Sequence, residues 1–235
     1  EDIFLSVLPI HHTYECTCGF LCPIYKGCTI AHCEGLKYIV QNLKETKATM
    51  VLGVPLMFEK MWRTINKTID KNGMRKKVNL GMKIAKVAGA VGIDVRRKLF
   101  KQIHDNFGGN IRTFISGAAA IDPKVAEGFR SIGIQLLQGY GLTECAPIGA
   151  LNRDVYSKDA AAGLPLPGVE IKIDNPNEEG IGEVLIKGGN VMMGYYEAPE
   201  LTAEAIVDGW YHTGDWGYLD KDSFLHLTGR MKNVI

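Results

Sequence analysis

Four short apolar stretches, separated by segments of helical periodicity, place the strongest constraint on what this chain can fold into. They lie at residues 28–33, 48–54, 111–115 and 134–138. Strands that are apolar along their whole length are typical of a parallel sheet with helices on both faces. We therefore predict a doubly wound α/β fold, in which residues 28–33 form a buried strand.

Segments of helical periodicity connect the predicted strands. One apolar stripe recurs through residues 58–69, and a second, capped by Asp94, is expected to run as a single helix through residues 95–107. Asp122 followed by Pro123 is the pattern of a helix start. Residues 74–92 carry four lysines, which suggest a solvated helix.

After about residue 150 the pattern changes to alternating segments with many turn residues. Residues 169–173 and 182–187 have the character of strands, and residues 217–219 and 224–227 are expected to pair as a hairpin. We therefore predict an α/β subdomain over residues 1–150 and a smaller β-rich subdomain over residues 151–235.

The charge balance bears on the class of partner. The chain has 27 Lys and Arg against 26 Asp and Glu, which gives a net charge of +1. This net charge provides no general electrostatic attraction to nucleic acid. No apolar run approaches the ~20 residues of a membrane span. We expect a cytoplasmic protein with small-molecule substrates, no nucleic-acid partner and no transmembrane segment, and the oligomeric state stays open.

Five of the six cysteines crowd near the N-terminus with three histidines: Cys16, Cys18, Cys22, Cys28, Cys33, His11, His12 and His32. Zinc sites are usually built from paired Cys-x-x-Cys spacings, which this group lacks. We therefore expect thiols that pack as small apolar side chains. A metal-binding module is the alternative.

The run Gln-Gly-Tyr-Gly-Leu-Thr-Glu at residues 138–144 has the composition of a nucleotide site. Glycines let a backbone turn sharply near a ligand, a tyrosine offers a flat face to a base, and Thr beside Glu can address phosphate and a divalent metal. Ligands bind beyond the carboxyl ends of parallel strands, and residues 116–120 and 139–141 are both expected to form loops there.

Four motifs in order along the chain carry a family resemblance. They are residues 138–144, residues 182–188 running into Gly194-Tyr195, the run Trp-Tyr-His-Thr-Gly-Asp at 210–215, and Gly-Arg-Met-Lys at 229–232. Together they resemble the adenylate-forming superfamily, specifically the AMP-forming acyl-CoA synthetases. The overall pattern looks most like synthetases of long-chain fatty acids.

The resemblance implies a partial N-terminal domain of an adenylate-forming enzyme and a two-step reaction. A carboxylate attacks the α-phosphate of ATP with loss of pyrophosphate, and the acyl-adenylate, which carries AMP, then acylates coenzyme A. The implied small molecules are ATP, Mg²⁺, a fatty acid and coenzyme A. An aryl-acid or amino-acid adenylation domain that loads a carrier protein, and a non-catalytic nucleotide or metal-binding module, are the alternatives.

The resemblance also implies residue roles. For the nucleotide, Tyr140 would stack on adenine, small residues would surround the base, Asp215 would bind ribose and Arg230 would bind phosphate or ribose oxygens. The small residues are Gly117, Ala118, Ala119, Gly139 and Gly141. For the reaction, Thr143 would contact the phosphates and Glu144 would bind the metal ion. His12 would lie near the acyl carboxylate or the route of the thiol, and Lys232 falls at an inter-domain hinge.

Each role has a structural alternative. The two glycines at 139 and 141 could serve a tight turn, Asp215 could cap a turn, Arg230 could form a surface ion pair and His12 could be an interior histidine. Glu183 is expected to be structural.

Two elements of the family are expected outside this chain, namely the phosphate loop before Glu1 and the C-terminal lid after Ile235. We therefore expect an internal fragment that is inactive alone, with any peripheral membrane contact made through the missing segments.

Overall fold

Parallel strands form the centre of the first of two units into which the chain divides, Glu1–Leu137 and Gln138–Ile235. The protein is described here by a computed structural model that covers residues 1–230. The first unit holds β1 (Ile3–Ser6), β2 (Thr29–His32), β3 (Met50–Gly53), β4 (Thr113–Ser116) and the start of β5 (Gln135–Gly141). The strand order is β2-β1-β3-β4-β5, and β1 pairs in parallel with β2 and β3. The predicted parallel sheet is confirmed.

Seven helices and two irregular helical turns surround these strands within the described part of the first unit. The turns are Glu15–Leu21, of π type, and Leu36–Tyr38, of 3₁₀ type. The helices are α1 (Cys22–Tyr25), α2 (Ile39–Thr46), α3 (Pro55–Lys71), α4 (Arg75–Ala90), α5 (Arg96–Leu99), α6 (Lys101–Asn106) and α7 (Pro123–Ser131). The predicted start of α7 is confirmed, because Asp122 Oδ1 accepts a hydrogen bond of 2.8 Å from the Lys124 N–H.

Two expectations for the first unit were wrong. The single helix expected over residues 95–107 is divided into α5 and α6 at Phe100, whose buried ring would lie 3.3 Å from a Cβ placed on Gly81 of α4. The strand expected to be buried, β2, lies at the sheet edge, and its Thr29 and His32 are exposed. Strand β1, which the sequence analysis missed, lies between β2 and β3 and takes the interior position.

The core of the first unit is built around aromatic side chains from the helices and β4. Phe114 on β4 lies 4.9 Å from the ring of Phe58 on α3 and 5.2 Å from the ring of Phe129 on α7. All three side chains are fully buried. The apolar stripes that predict the helices therefore face the sheet, as their spacing requires.

Antiparallel pairing dominates the second unit. Its strands are the end of β5, then β6 (Ile148–Leu151), β7 (Leu164–Pro165), β8 (Val169–Asp174), β9 (Gly182–Gly188), β10 (Ile206–Val207), β11 (Trp210–Leu219) and β12 (Leu225–Arg230). A 3₁₀ turn, Thr143–Cys145, and α8 (Pro199–Ala205) complete the elements. The sheet order is β10-β11-β9-β8, with β12 paired to β11. The predicted β-rich region and hairpin are confirmed, whereas the domain boundary near residue 150 stays a prediction.

The cysteine cluster shows no metal geometry in the described residues. All six cysteines are free thiols. Among residues 1–230, no three His, Cys, Asp or Glu side chains lie close enough together to hold a metal ion. Within the same residues, no helix combines the length and the apolar character that crossing a bilayer requires.

Candidate functional site

The glycines of the 138–144 motif lie inside β5 and not in the expected loop. A Cβ on Gly141 would overlap the carbonyl oxygen of Pro147, and a Cβ on Gly139 would come within 2.9 Å of the Leu151 side chain. Both glycines therefore allow β5 to pack closely on β6, so the tight-turn alternative is also wrong. Between them, Tyr140 pairs opposite Ala150 and its side chain is buried.

Tyr140 and Asp215 form a buried hydrogen bond within the second unit. The Tyr140 hydroxyl donates to Asp215 Oδ2 over 2.6 Å, and the two residues are only 8% and 5% exposed. Burial, with a contribution from the bonded carboxylate, raises the pKa of Tyr140 well above its usual value. Tyr140 therefore keeps its proton and acts as a donor to Asp215.

Arg230 hydrogen-bonds the other oxygen of the same carboxylate. Asp215 on β11 lies opposite Arg230 on β12 in the antiparallel register, and Arg230 Nε donates to Asp215 Oδ1 over 2.7 Å. The bonded carboxylate raises the pKa of Arg230. The Arg230 side chain is 58% exposed, so the pair consists of a buried anion and a cation that reaches solvent.

A break in strand pairing directs Asp215. The register between β11 and β9 shifts across the stretch that contains Asp215, and such irregularities re-aim side chains. Thr213 Oγ1 accepts from the Asp215 N–H over 3.1 Å. Glu183 accepts from the Gly214 N–H and bonds His212 Nδ1, both over 2.9 Å. Glu183 therefore holds the irregular stretch of β11 before Asp215, and the structural role expected for it stays a prediction.

The turn that joins β11 and β12 is fixed by a second charge group. Lys158 Nζ lies 2.6 Å from Asp220 Oδ2 and 2.7 Å from Asp222 Oδ2, and His226 bonds Asp220 over 3.0 Å. These bonds attach the loop at Lys158 to the hairpin. The hairpin that carries Asp215 and Arg230 is thereby held at its closed end.

Glu144 is held by the segment of residues 190–195, here called the clasp. The Tyr195 hydroxyl donates to Glu144 Oε1 over 3.0 Å. The backbone of Tyr195 is fixed as well, because its N–H donates to Thr202 Oγ1 over 2.9 Å. One oxygen of Glu144 is thus oriented, which leaves Oε2 to meet a cation.

The rest of the clasp bonds the backbone around Glu144. Asn190 Nδ2 donates to the carbonyl oxygens of Cys145 and Ile148 over 3.0 and 2.9 Å. The Met192 N–H donates to the Glu144 carbonyl oxygen over 2.8 Å. The clasp therefore fixes both the main chain and the carboxylate of Glu144. Sequence reasoning quoted Gly194-Tyr195 as a motif but gave the clasp no role.

The predicted small-residue loop lies in the first unit, after β4. Its Gly117 N–H donates to the Gly53 carbonyl oxygen over 3.1 Å, and Ala118 and Ala119 are exposed. Ala118 has φ of 72°, a left-handed conformation that is uncommon for a residue with a Cβ. Such strain often accompanies functional loops.

His12 also belongs to the first unit, and it is exposed, so the interior alternative is wrong for this residue. Its Nδ1 accepts from the Tyr14 N–H over 3.1 Å. The position of Lys232 lies outside the described residues.

The second unit therefore brings together three predicted residues, Tyr140, Asp215 and Arg230, in one hydrogen-bonded group. Glu144 lies in a separate hydrogen-bonded group, and the neighbouring Thr143 is exposed. Carboxylate and hydroxyl oxygens are ligands that Mg²⁺ accepts. A buried carboxylate bonded to a permanent cation suits a ligand that carries both hydroxyl groups and negative charge.

Comparison with known sequences identifies relatives across the chain. A family model described as AMP-binding enzyme matches residues 1–196. A long-chain-fatty-acid–CoA ligase of Rattus norvegicus is 33% identical over 253 residues, and a probable CoA ligase of Humulus lupulus is 30% identical over 254 residues. Each match covers 100% of this chain but 38% of the relative, so the chain spans well under half the length of these curated relatives.

Solved structures show the same fold. The O-succinylbenzoate coenzyme A synthetase of Bacillus subtilis in complex with AMP matches 97% of this chain and 41% of its own, with a TM-score of 0.72 and 23% identity. ATP-bound MatB of Rhodopseudomonas palustris matches 100% of this chain and 41% of its own, with a TM-score of 0.74 and 22% identity. The architecture of the chain is therefore that of these proteins.

Proposed function

Because the chain belongs to the AMP-binding enzyme family, we propose that it forms the nucleotide-binding part of an ATP-dependent acid–thiol ligase. The ligase activates a carboxylic acid as an acyl-adenylate with release of pyrophosphate, and the acyl group then passes to coenzyme A. The group formed by Tyr140, Asp215 and Arg230 is the observation that carries this proposal. The relatives named as long-chain-fatty-acid–CoA ligases support a long-chain fatty acid as the substrate.

Asp215 is the ribose-binding group in this proposal. A carboxylate accepts hydrogen bonds from both hydroxyl groups of a cis-diol, and its two oxygens are held in place by Tyr140 and Arg230. When ribose binds, the bond between Arg230 and Asp215 is the one that breaks, because the Arg230 side chain is 58% exposed whereas Tyr140 is buried. The released guanidinium then meets phosphate oxygens, with which it forms strong charge-assisted bonds.

Glu144 and Thr143 are the residues that would hold Mg²⁺, since both present oxygen atoms on one short turn. When bound, Mg²⁺ neutralises charge on phosphate oxygens. The clasp keeps the Glu144 carboxylate in one orientation, so little ordering remains to be done when the cation binds. The roles assigned to His12, to the loop at Gly117 and to Lys232 stay predictions.

The proposed first step needs positioning and charge neutralisation more than acid–base chemistry. The nucleophile is a carboxylate, which is ionised near pH 7, and the leaving group is pyrophosphate. Arg230 supplies a permanent positive charge for the phosphates, and Asp215 sets the orientation of the sugar. Groups of this kind accelerate a reaction by alignment and by electrostatic stabilisation of the transition state.

Calorimetric titration with AMP tests the ribose assignment, on this chain and on the full-length protein that contains it. We expect Asp215→Ala to weaken binding by about tenfold or more, because two hydrogen bonds to a charged group are lost. Glu204→Ala is the control, since it removes an exposed carboxylate from α8 in the same unit. Equal affinity in Asp215→Ala and Glu204→Ala would contradict the assignment.

Assays of the full-length protein test the reaction and the substrate separately. We expect ATP-dependent pyrophosphate release that requires an added fatty acid, followed by acyl-CoA formation. A protein that releases no pyrophosphate with any acid disproves the ligase proposal. A preference for short or aromatic acids disproves only the long-chain assignment.

A further inference from the structure

Helix α4 in the first unit is apolar on two opposite faces. One face packs on the core of the unit through the buried residues Val78 and Ala85. The other face carries large apolar side chains that are exposed to solvent. These are Leu80, Ile84, Val87 and, directly after the helix, Val91, with exposed fractions of 58%, 47%, 71% and 72%.

The four exposed side chains form one continuous stripe. Successive members are four, three and four residues apart, which is the spacing of neighbours on one side of a helix. Isolated exposed apolar residues are common on protein surfaces, but contiguous apolar surface usually marks a contact site. Core packing explains the buried face of α4 and leaves this exposed stripe unexplained.

Positive charge flanks the stripe. Between Arg75 and Ala90 the helix has five basic residues and no acidic residue. Arg75 is paired with Asp70 over 2.7 Å. The four lysines at 76, 77, 83 and 86 are exposed, and none forms a salt bridge within the part of the chain that the structure describes.

The lysines border the exposed stripe. Lys76 and Lys83 lie four residues before and three residues after Leu80, on one side of the stripe, while Lys77 lies on the other side. Lysine side chains can lay their apolar stems along an inserted surface and keep the ammonium group at the level of lipid phosphates. A helix with this distribution is typical of proteins that lie in a membrane interface.

The charge pattern distinguishes a lipid surface from a second copy of the chain. A symmetric dimer through this face would bring lysines of two copies together, which is unfavourable without acidic partners, and α4 supplies none. In an anionic bilayer, by contrast, the stripe can contact the acyl chains while the lysines contact the negatively charged phosphates of the headgroups. We propose that α4 docks this unit, parallel to the surface, on membranes that contain anionic lipid.

This proposal rests on the first unit and does not depend on the nucleotide site or on the proposed ligase reaction. The length of α4, 16 residues, corresponds to roughly 24 Å at 1.5 Å per residue. It therefore lies in the interface and does not cross the bilayer, consistent with the absence of a spanning helix among residues 1–230.

Flotation of the full-length protein with phosphatidylcholine vesicles, with and without phosphatidylserine, tests the proposal. We expect binding to the phosphatidylserine vesicles that weakens as salt is added. Val87→Asp should reduce this binding by about tenfold or more, because a charge replaces an inserted apolar group. Lys83→Gln should reduce it about fivefold, which is the typical effect of one basic residue near an anionic surface.

Val155→Asp is the matched control, because Val155 is 98% exposed and lies in the second unit. We expect this variant to bind vesicles as the unmodified protein does, and both valine variants to keep its thermal unfolding midpoint. Equal vesicle binding by the two valine variants overturns the proposal, as does a full-length protein that does not bind phosphatidylserine vesicles. Self-association that is lost only in Val87→Asp, without vesicle binding, assigns the face to a second copy instead.

Discussion

The two units of this protein use their buried side chains differently. In the first unit, aromatic rings meet at the centre, and Phe114 alone contacts the rings of Phe58, Phe107 and Phe129 over 4.9 to 6.1 Å. In the second unit, hydrogen bonds join buried polar groups, as between Tyr140 and Asp215. Removing side-chain volume should therefore destabilise the first arrangement, whereas removing a hydrogen-bonding partner should destabilise the second.

This difference reflects how each type of sheet places side chains. Parallel strands separated by helices bury apolar residues on both faces, so large apolar side chains dominate the interior of the first unit, although buried polar residues such as Asn42 and His104 lie there too. An antiparallel hairpin brings residues from its two strands into direct opposition, as it does for Asp215 and Arg230. We infer that the first unit is held mainly by packing and that the second holds a site whose geometry depends on hydrogen bonds.

The largest expected effect tests the packing half of this comparison. Phe114→Ala removes the ring at the centre of the aromatic cluster, and we expect it to lower the free energy of unfolding by about 3–5 kcal/mol, through lost burial and the cavity that remains. Denaturant unfolding measures the change. The control is Leu56→Ala on α3, whose side chain is 70% exposed and which should cost under about 0.5 kcal/mol. Similar losses in the two variants would contradict a packed core around Phe114.

A smaller effect tests the hydrogen-bonded half. Tyr195→Phe removes the hydroxyl that orients Glu144 without changing the volume of the ring. We expect the full-length protein to need about fivefold more Mg²⁺ for half-maximal pyrophosphate release, with little change in kcat at saturating Mg²⁺. Tyr196→Phe is the control, because this neighbour is 90% exposed. The role given to the clasp is wrong if the two variants need the same Mg²⁺ concentration.

The smallest expected effect is a pH dependence located in the first unit. His104 Nε2 donates to the Ile132 carbonyl oxygen over 2.7 Å, and its buried Nδ1 has no hydrogen-bond partner among residues 1–230. Burial lowers the pKa of His104, Arg97 acts in the same direction, and the bond to Ile132 with the charge of Asp105 opposes it. The folded state therefore favours the neutral ring.

The sign of the stability change follows from this shift. Below the usual histidine pKa of about 6.5, the unfolded chain binds a proton that folded His104 does not, so stability is lost as pH falls from that value through the lowered pKa. We expect His104→Gln to lose less stability than the unmodified protein between neutral and mildly acidic pH, as measured by denaturant unfolding. Parallel pH profiles for the two proteins would exclude His104 as the source.

Local periodicity was a reliable guide where one face of an element decides its environment. The helix start at Asp122, the strand β3 and the hairpin of β11 and β12 were all predicted from short patterns. Prediction failed where a distant element changed the outcome. Phe100 divides an otherwise continuous stripe by packing on α4, and β1 displaces β2 to the sheet edge.

For the candidate site, the sequence supplied residue types and the structure supplied partners. The glycines at 139 and 141 were recognised, but their reason, close packing of β5 on β6, depends on a neighbouring strand that composition does not identify. The clasp was missed as a functional segment for the same reason. In the sequence, nothing distinguishes Asn190 and Met192 from other loop residues. Only the structure shows their hydrogen bonds to the turn at Glu144.

The sequence by itself determined the fold class, the order of most strands and helices, and the order of the motifs that resemble the AMP-forming synthetases. These properties depend on nearest neighbours and on the 2.0 and 3.6 residue periods of strands and helices. Only the tertiary structure decided that Asp215 is shared by Tyr140, 75 residues away, and Arg230, 15 residues away. Those contacts depend on strand register and on the irregular pairing of β11, which local sequence leaves undetermined.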